Sequence, residues 1–131
     1  MDNKEIFRHY QDALYDEDTL GQVLTADFIA HDLPPPGGRD ALIAFRKAVN
    51  RATSNPKHAI LDLIAQGDRV AARIKSESTH TGVFAGVAPT GKRIAFEIFE
   101  IVRIADGKIA ERWAALRPSV SELIQQLRER K

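Results

Sequence analysis

Two titratable residues, His31 and Asp32, stand side by side in the stretch FIAHDLPPPGGRDAL, which covers residues 28–42. The stretch begins as an extended segment and then meets three prolines and two glycines, which no helix can cross. An aspartate at this point can simply begin a turn. Alternatively, it lies at the mouth of a pocket, where a carboxylate can accept a proton from a ligand. The residues alone leave both interpretations open.

A second carboxyl group, Glu100, stands in the apolar segment RIAFEIFEIVRI, residues 93–104. Side chains alternate between the two faces of a strand, so Glu100 shares a face with Ile98 and Val102. Both faces of this segment are rich in apolar residues. Alternation alone therefore does not say which face is interior.

Helices and strands must position these residues, and their order follows from the spacing of apolar side chains. Gly67–Asp68 and Asp106–Gly107 predict tight hairpins between strands, and Ser119 and Glu122 have the spacing of a helix capping box. The predicted helices cover 3–16, 39–53 and 118–131, with a further short helix after the first one that Asp18 would cap. The predicted strands cover 58–66, 69–80, 93–104 and 108–116.

This order predicts an α+β domain in which the N-terminal helices pack on one face of a curved antiparallel sheet. A sheet curved in this way can enclose a pocket. At 131 residues the chain is long enough for one core and too short for two, so a single domain, 1–131, is expected.

The composition excludes several classes of function. Nineteen basic and eighteen acidic residues leave a net charge of +1 without a clustered basic patch, so no nucleic-acid partner is expected. The chain has no cysteine, which rules out disulfides and thiolate metal sites. No apolar run approaches the roughly 18–20 residues that span a bilayer. Because the first residues are charged throughout, a cytoplasmic protein without a membrane partner is expected.

Four motifs in the second half of the chain closely resemble those of one family. In order, they are His80–Gly82, Pro89–Gly91, Arg103–Ile109 and Glu111–Trp113. With the stretch AHDLPPPGGRDAL, they resemble the SnoaL-like polyketide cyclase (ester cyclase) branch of the nuclear-transport-factor-2-like superfamily, over about residues 4–127. The resemblance implies the cone fold of that superfamily, in which helices pack on a curved antiparallel sheet around a pocket.

The resemblance also implies an orientation for the strands. Ketosteroid isomerase and scytalone dehydratase share this fold, and by similarity to them Glu100 and Arg112 face into the cone, near Asp32. An arginine there would keep a buried carboxylate ionised. In the isomerase, a helix tyrosine and a strand carboxylic acid bind an enolate oxygen while an aspartate removes the proton. Tyr10, Glu100 and Asp32 fall on or close to the matching positions and are the implied catalytic residues.

The residues expected to line the pocket are His31, His80, Arg112 and Trp113. A lone histidine near a turn is more often solvated or bonded to the backbone. The indole N–H of Trp113 needs a partner whether it lines a pocket or packs in the core. Because His31, Asp32 and His80 lack the helical or hairpin spacing of a metal site, no metal is expected, and no cofactor is implied either.

One departure separates this chain from the polyketide cyclases of the family. Those enzymes use a carboxylate shortly after the last tryptophan, whereas this chain has Arg117 near that position and no carboxylate between Trp113 and Ser121. Two functions therefore stay open. The first is a cofactor-independent acid–base enzyme of the cyclase or isomerase type, which acts on an enolisable carbonyl substrate. The second is a non-catalytic module for ligand binding or dimerisation.

The expected ligand is a small apolar or carbonyl-containing molecule, whose identity the sequence does not specify. The outer face of the sheet, with groups such as Phe99 and Ile101, needs cover if the inner face lines the pocket. Relatives on this fold commonly supply that cover by pairing two sheets. A homodimer is therefore expected.

Overall fold

A computed structural model describes residues 1–129 of the chain. The elements follow the predicted α+β order, and the predicted end of the last helix, residues 130 and 131, lies outside the described residues. The helices are α1 (Asn3–Ala13), α2 (Glu17–Val23), α3 (Arg39–Ala52) and α4 (Val120–Arg128), and the strands are β1 (Leu24–Ala30), β2 (Thr53–Gln66), β3 (Arg69–His80), β4 (Arg93–Ala105) and β5 (Lys108–Arg117).

Local side-chain caps fix the start of two helices. At α4, the Ser119 hydroxyl accepts a hydrogen bond from the Glu122 backbone N–H, and the Glu122 carboxylate accepts one from the Ser119 N–H, so the predicted capping box is confirmed. The predicted cap of α2 is wrong, because Asp16 rather than Asp18 caps this helix. Asp16 accepts hydrogen bonds from the Asp18 N–H and from the Thr19 hydroxyl, and α2 therefore begins earlier than predicted.

The five strands form one sheet in the order β1-β5-β4-β3-β2. The four long strands make the predicted antiparallel meander, and β1 adds to its edge parallel to β5, which makes the sheet mixed. Asp106 and Gly107 both have positive φ, 52° and 73°, as the predicted hairpin between β4 and β5 requires.

Strand β2 begins at Thr53, five residues before the predicted start at His58. The register with β3 shifts between Ser54 and Lys57, which accommodates Pro56. Proline has no N–H to give to the ladder, so strands contain it at irregular positions such as this one.

The core lies between the helices and the inner face of the sheet. Its largest fully buried side chains are Tyr10, Phe7, Phe28, Leu20, Leu24, Leu42, Ile74, Ile109, His80, Val70 and Val102. The outer face instead exposes large apolar side chains, among them Ile64, Phe99 and Ile101. Within residues 1–129, no helix combines the length and the apolar character that a membrane crossing requires.

Candidate functional site

Four polar side chains meet on the inner face of the sheet: Tyr10, Asp32, Glu100 and Arg112. The Tyr10 hydroxyl donates to Glu100 Oε2 at 3.1 Å and accepts from Arg112 Nη1 at 2.9 Å. Arg112 Nε lies 3.3 Å from Asp32 Oδ1 and 3.5 Å from Glu100 Oε2. We call these four residues the inner polar group.

Four segments position the inner polar group, since Tyr10 lies on α1, Glu100 on β4, Arg112 on β5 and Asp32 just after β1. The antiparallel register pairs Val102 with Arg112, so Glu100 lies two residues further along β4 on the same face. On the other side of β5, Ala30 pairs with Arg112, and the His31 N–H donates to the Arg112 carbonyl at 2.8 Å. This pairing holds the end of β1 beside β5 and brings Asp32 within reach of the guanidinium.

Burial and charge act in opposite directions on this group. Burial raises the pKa of Glu100 above its ordinary value, although the charge of Arg112 and the hydrogen bond from Tyr10 both lower it. Burial also raises the pKa of Tyr10 well above its usual range. Burial alone would lower the pKa of Arg112, but Tyr10, Glu100 and Asp32 together raise it above its ordinary value. Arg112 is therefore a permanent cation, while burial favours the protonated form of Glu100.

The side chains of the inner polar group differ in their exposure to solvent. The side chains of Glu100 and Arg112 are 1% and 6% exposed, whereas that of Asp32 is 16% exposed. Apolar residues that share the inner face with Glu100 and Arg112, namely Phe96, Ile98, Ala114 and Leu116, are only half-buried. A ligand that reached Asp32 would therefore meet an apolar surface beside it.

His31 and Trp113 lie on the outer face, opposite the inner polar group. Trp113 is the strand neighbour of Arg112, and successive side chains on a strand point to opposite faces. The His31 imidazole stacks on the Trp113 indole with ring centres 4.8 Å apart, and its Nε2 lies 2.8 Å from Glu111 Oε2. Hydrogen bonds from His31 and from Arg103 lower the pKa of Glu111. These contacts hold the end of β1 against β5 on the outer face of the sheet.

His80 lies at the far end of β3 and does not join the inner polar group. It is fully buried, and its Nδ1 accepts a hydrogen bond from the Thr90 backbone N–H at 3.2 Å, with the Thr90 hydroxyl 2.9 Å away. Its Nε2 is buried without a hydrogen-bond partner among residues 1–129. His80 thus ties the His80–Gly82 turn to the Pro89–Gly91 hairpin.

Helical spacing predicts an apolar stripe of Leu42, Phe45 and Val49 on α3 and places Arg46 only at its border. The structure anchors Arg46 near the inner polar group, whose charges act on it. Arg46 Nε donates to the Leu14 carbonyl at 3.2 Å, and Nη2 donates to Asn50 Oδ1 at 3.1 Å. The guanidinium also lies 5.2 Å from the centre of the Tyr15 ring. Its position beside the stripe was the only signal in the sequence.

The outer face carries a depression of about 550 Å³. Its floor includes Ile64, Phe99, Ile101 and Trp113, with Arg73 and Asp62 among the remaining lining residues. The side chains of the inner polar group lie on the other side of the sheet, although Glu100 is also among the residues that line the depression. Among the described residues, no cluster of three or more histidine, aspartate or glutamate side chains is arranged to hold a metal ion.

The sequence and the fold both match known proteins. Residues 4–127 match the family described as SnoaL-like polyketide cyclase, which confirms the resemblance drawn from the motifs. No curated protein matches the chain at a significant level.

Three solved structures illustrate the likeness. A candidate polyketide cyclase from Bacillus cereus is 28% identical, with a TM-score of 0.75, and the match covers 93% of this chain and 77% of that one. AclR, a candidate hydroxylase from Streptomyces galilaeus, is 25% identical, with a TM-score of 0.79 and coverage of 95% and 83%. A Catenulispora acidiphila protein with a ketosteroid isomerase-like fold, in complex with trimethylamine, is 17% identical, with a TM-score of 0.71 and coverage of 93% and 91%. This last likeness concerns the fold alone.

Proposed function

Because the chain belongs to the SnoaL-like polyketide cyclase family, we propose that it is a cofactor-independent acid–base enzyme for a small, apolar, enolisable carbonyl compound. The observation that carries the proposal is the meeting of Tyr10, Asp32, Glu100 and Arg112 on the inner face of the sheet. Proton removal beside a carbonyl needs an ionised carboxylate and hydrogen-bond donors where negative charge develops. The inner polar group contains both.

Asp32 is the general base in this proposal. Its side chain is more exposed than those of Glu100 and Arg112, and half-buried apolar side chains share the inner face with that pair. Arg112 Nε lies 3.3 Å from Asp32 Oδ1, and this ion pair holds the carboxylate at the edge of the inner polar group. Asp32 accepts the proton from the carbon next to the carbonyl and returns it to the rearranged product.

Tyr10 is the donor to the enolate oxygen, in a step that depends on Glu100. In the resting arrangement the Tyr10 hydroxyl donates its one hydrogen to Glu100 and accepts from Arg112. A protonated Glu100 can reverse the first of these bonds and donate to the second lone pair of the Tyr10 oxygen. The Tyr10 hydrogen is then available to the substrate. Burial of Glu100, which raises its pKa, favours this protonated state.

One observation favours the second function, ligand binding without turnover. In the resting arrangement every member of the inner polar group already has a partner within the group. The chain also carries Arg117 near the position where the polyketide cyclases of the family place a carboxylate. A protein that only binds its ligand would need no further acid.

A homodimer is part of the same proposal. Phe99 and Ile101 are 42% and 44% exposed on the outer face, and both line the depression there. Exposed apolar surface of this kind commonly marks a site of association between proteins. We propose that a second copy of the chain covers it.

Deuterium exchange into an enolisable ketone tests the catalytic function. The probe is 1-tetralone in D₂O, and the readout is the loss of the NMR signal of the hydrogens next to its carbonyl. Wild-type protein should speed this exchange, and Asp32→Asn should lower the protein-dependent rate by about 10²–10⁴-fold, the usual contribution of a general base. Asp27→Asn is the matched control, because Asp27 is an exposed aspartate on β1.

Two outcomes would contradict the catalytic function. Equal exchange rates in wild type and Asp32→Asn would remove Asp32 from the reaction. Binding of 1-tetralone to the wild type without any acceleration of exchange would instead favour the non-catalytic function.

A further inference from the structure

Arg46 is a partly buried cation without a carboxylate partner. Among residues 1–129, no aspartate or glutamate oxygen lies within 4.0 Å of its guanidinium, and its hydrogen bonds go to the Leu14 carbonyl and to Asn50. Arg112 differs, because Asp32 and Glu100 both lie within ion-pair distance of it. Within residues 1–129, the direct contacts of the Arg46 guanidinium are therefore with neutral dipoles and with the Tyr15 ring.

The guanidinium of Arg46 is held in place rather than free to move. Leu14 follows directly after the end of α1, and its carbonyl accepts hydrogen bonds from both Arg46 Nε and Asn50 Nδ2. Asn50 Oδ1 in turn accepts from Arg46 Nη2. These contacts fix the plane of the guanidinium in advance, and an arginine ordered in this way loses little entropy when it binds a ligand. Its Nη1 has no hydrogen-bond partner in the part of the chain described.

The same contacts place Arg46 next to the inner polar group. Leu14 stands four residues after Tyr10, which corresponds to about 6 Å along the helix axis, and the Leu14 N–H donates to the Tyr10 carbonyl. Burial lowers the pKa of Arg46, and the charges of Arg112 and Glu100 also act on it. A cation removed from water at this cost becomes more stable when an anion pairs with it.

The charges around Arg46 also favour an anionic ligand. The positive charge of Arg112 is already paired with the carboxylate of Asp32. Burial raises the pKa of Glu100, which favours the neutral form of that carboxyl group. When Glu100 is protonated, the two arginines face only one carboxylate, that of Asp32. In that state Arg46 still has no carboxylate partner among residues 1–129.

We propose that Arg46 binds a carboxylate group of the ligand, so that the preferred substrate is an apolar carbonyl compound that also carries a free acid rather than an ester. This inference rests on the proposed function for its carbonyl chemistry, but the carboxylate contact concerns binding alone. Nη1 and the second hydrogen of Nη2 can donate to the two oxygens of one carboxylate, as arginines commonly do.

A pair of probes that differ only in charge tests the inference. 2-Naphthoate carries the carboxylate, methyl 2-naphthoate is its neutral ester, and naphthalene fluorescence reports the binding of both. Wild-type protein should bind the acid about 10- to 100-fold more tightly than the ester, as expected for hydrogen bonds to a charged group. Arg46→Gln should abolish that preference, Arg46→Lys should keep part of it, and Arg51→Gln, on the exposed side of α3, should leave it unchanged.

A measurement on the wild type guards against a variant that fails to fold. The NMR signal of the Arg46 Nε–H group should shift when 2-naphthoate is added and stay in place when the ester is added. Absence of 2-naphthoate binding at millimolar concentrations, equal binding of acid and ester, or an acid preference that survives in folded Arg46→Gln would each overturn the inference. Equal binding of acid and ester by the wild type, with Asp32-dependent exchange intact, would refute the inference alone, whereas an Arg46-dependent acid preference without exchange would refute only the proposed catalysis.

Discussion

Removal of Arg112 should destabilise the protein more than the loss of any exposed arginine. In Arg112→Ala, Glu100 and Asp32 lose the cation between them, and the Tyr10 hydroxyl loses a donor at 2.9 Å. Glu100 would remain as a buried carboxylate that, among residues 1–129, accepts a hydrogen bond from Tyr10 alone. Breaking a buried ion pair from one side usually costs about 3–5 kcal/mol, because the remaining charge stays buried.

The loss of stability in Arg112→Ala should depend on pH, and the raised pKa of Glu100 sets the direction of that dependence. Burial raises its pKa in the folded protein above the ordinary value of 4.5. At a pH between the ordinary pKa and the raised pKa of the folded protein, the folded state binds more protons than the unfolded state. The free energy of unfolding therefore falls as the pH rises through this window. Without Arg112 the window extends to higher pH. The difference between wild type and Arg112→Ala should therefore be small in acid and largest at neutral pH.

Urea unfolding at several pH values measures this difference. With an m-value of about 2 kcal/mol/M, a loss of about 4 kcal/mol lowers the midpoint by about 2 M. Glu100→Gln keeps the shape of the side chain and removes its charge, so the double variant with Arg112→Ala should regain about half of the loss. Arg117→Ala, on the exposed end of β5, is the matched control. The protein concentration is held constant, because association would shift the midpoint.

Two results would refute this account of Arg112. Strict additivity of the free-energy changes in the double variant would mean that Arg112 and Glu100 do not interact. A loss in Arg112→Ala that is equally large at about pH 4 and at about pH 8 would mean that the charge of Glu100 does not matter.

Two further predictions concern the outer face and one close backbone contact. Ile101→Lys, in the middle of the exposed apolar face, should convert the proposed dimer to a folded monomer, as measured by light scattering and circular dichroism; a wild type that is itself monomeric at micromolar concentration would contradict the dimer. In Gly82→Ala the new Cβ would clash with the Arg51 carbonyl oxygen, so the turn must move. The thermal midpoint should fall by several degrees, since about 1 kcal/mol corresponds to roughly 2–8 °C in domains of this size range, and an unchanged midpoint would show that the turn adjusts freely.

Local signals in the sequence were sufficient for much of the fold. The hairpin at Asp106–Gly107 needs two successive residues with positive φ, and few residue pairs adopt that conformation readily. The cap of α2 was misassigned, since Asp16 and Asp18 are both good capping residues two positions apart. The early start of β2 could not be predicted around Pro56, because the bulge that admits this proline depends on β3.

The candidate site was harder to derive because both faces of the sheet are apolar. Alternation shows that Arg112 and Trp113 point to opposite sides, but it does not say which side is covered by helices. Resemblance to known folds supplied that orientation for Glu100 and Arg112. Arg46 had no such signal, because its anchor is the backbone carbonyl of Leu14, and no pattern of residue types marks a contact with a distant carbonyl.

The stacked pair of His31 and Trp113 lies on the outer face of the sheet, and one peptide bond joins His31 to Asp32 on the inner face. Trp113 lines the outer depression, His31 stacks on it, and the next residue, Asp32, reaches the inner face. A second chain seated on the outer face would press on the indole and thereby restrict the position of the carboxylate behind it. Dilution that separates the two chains would then lower the specific activity per chain, and the activity would recover on concentration without any change in covalent structure.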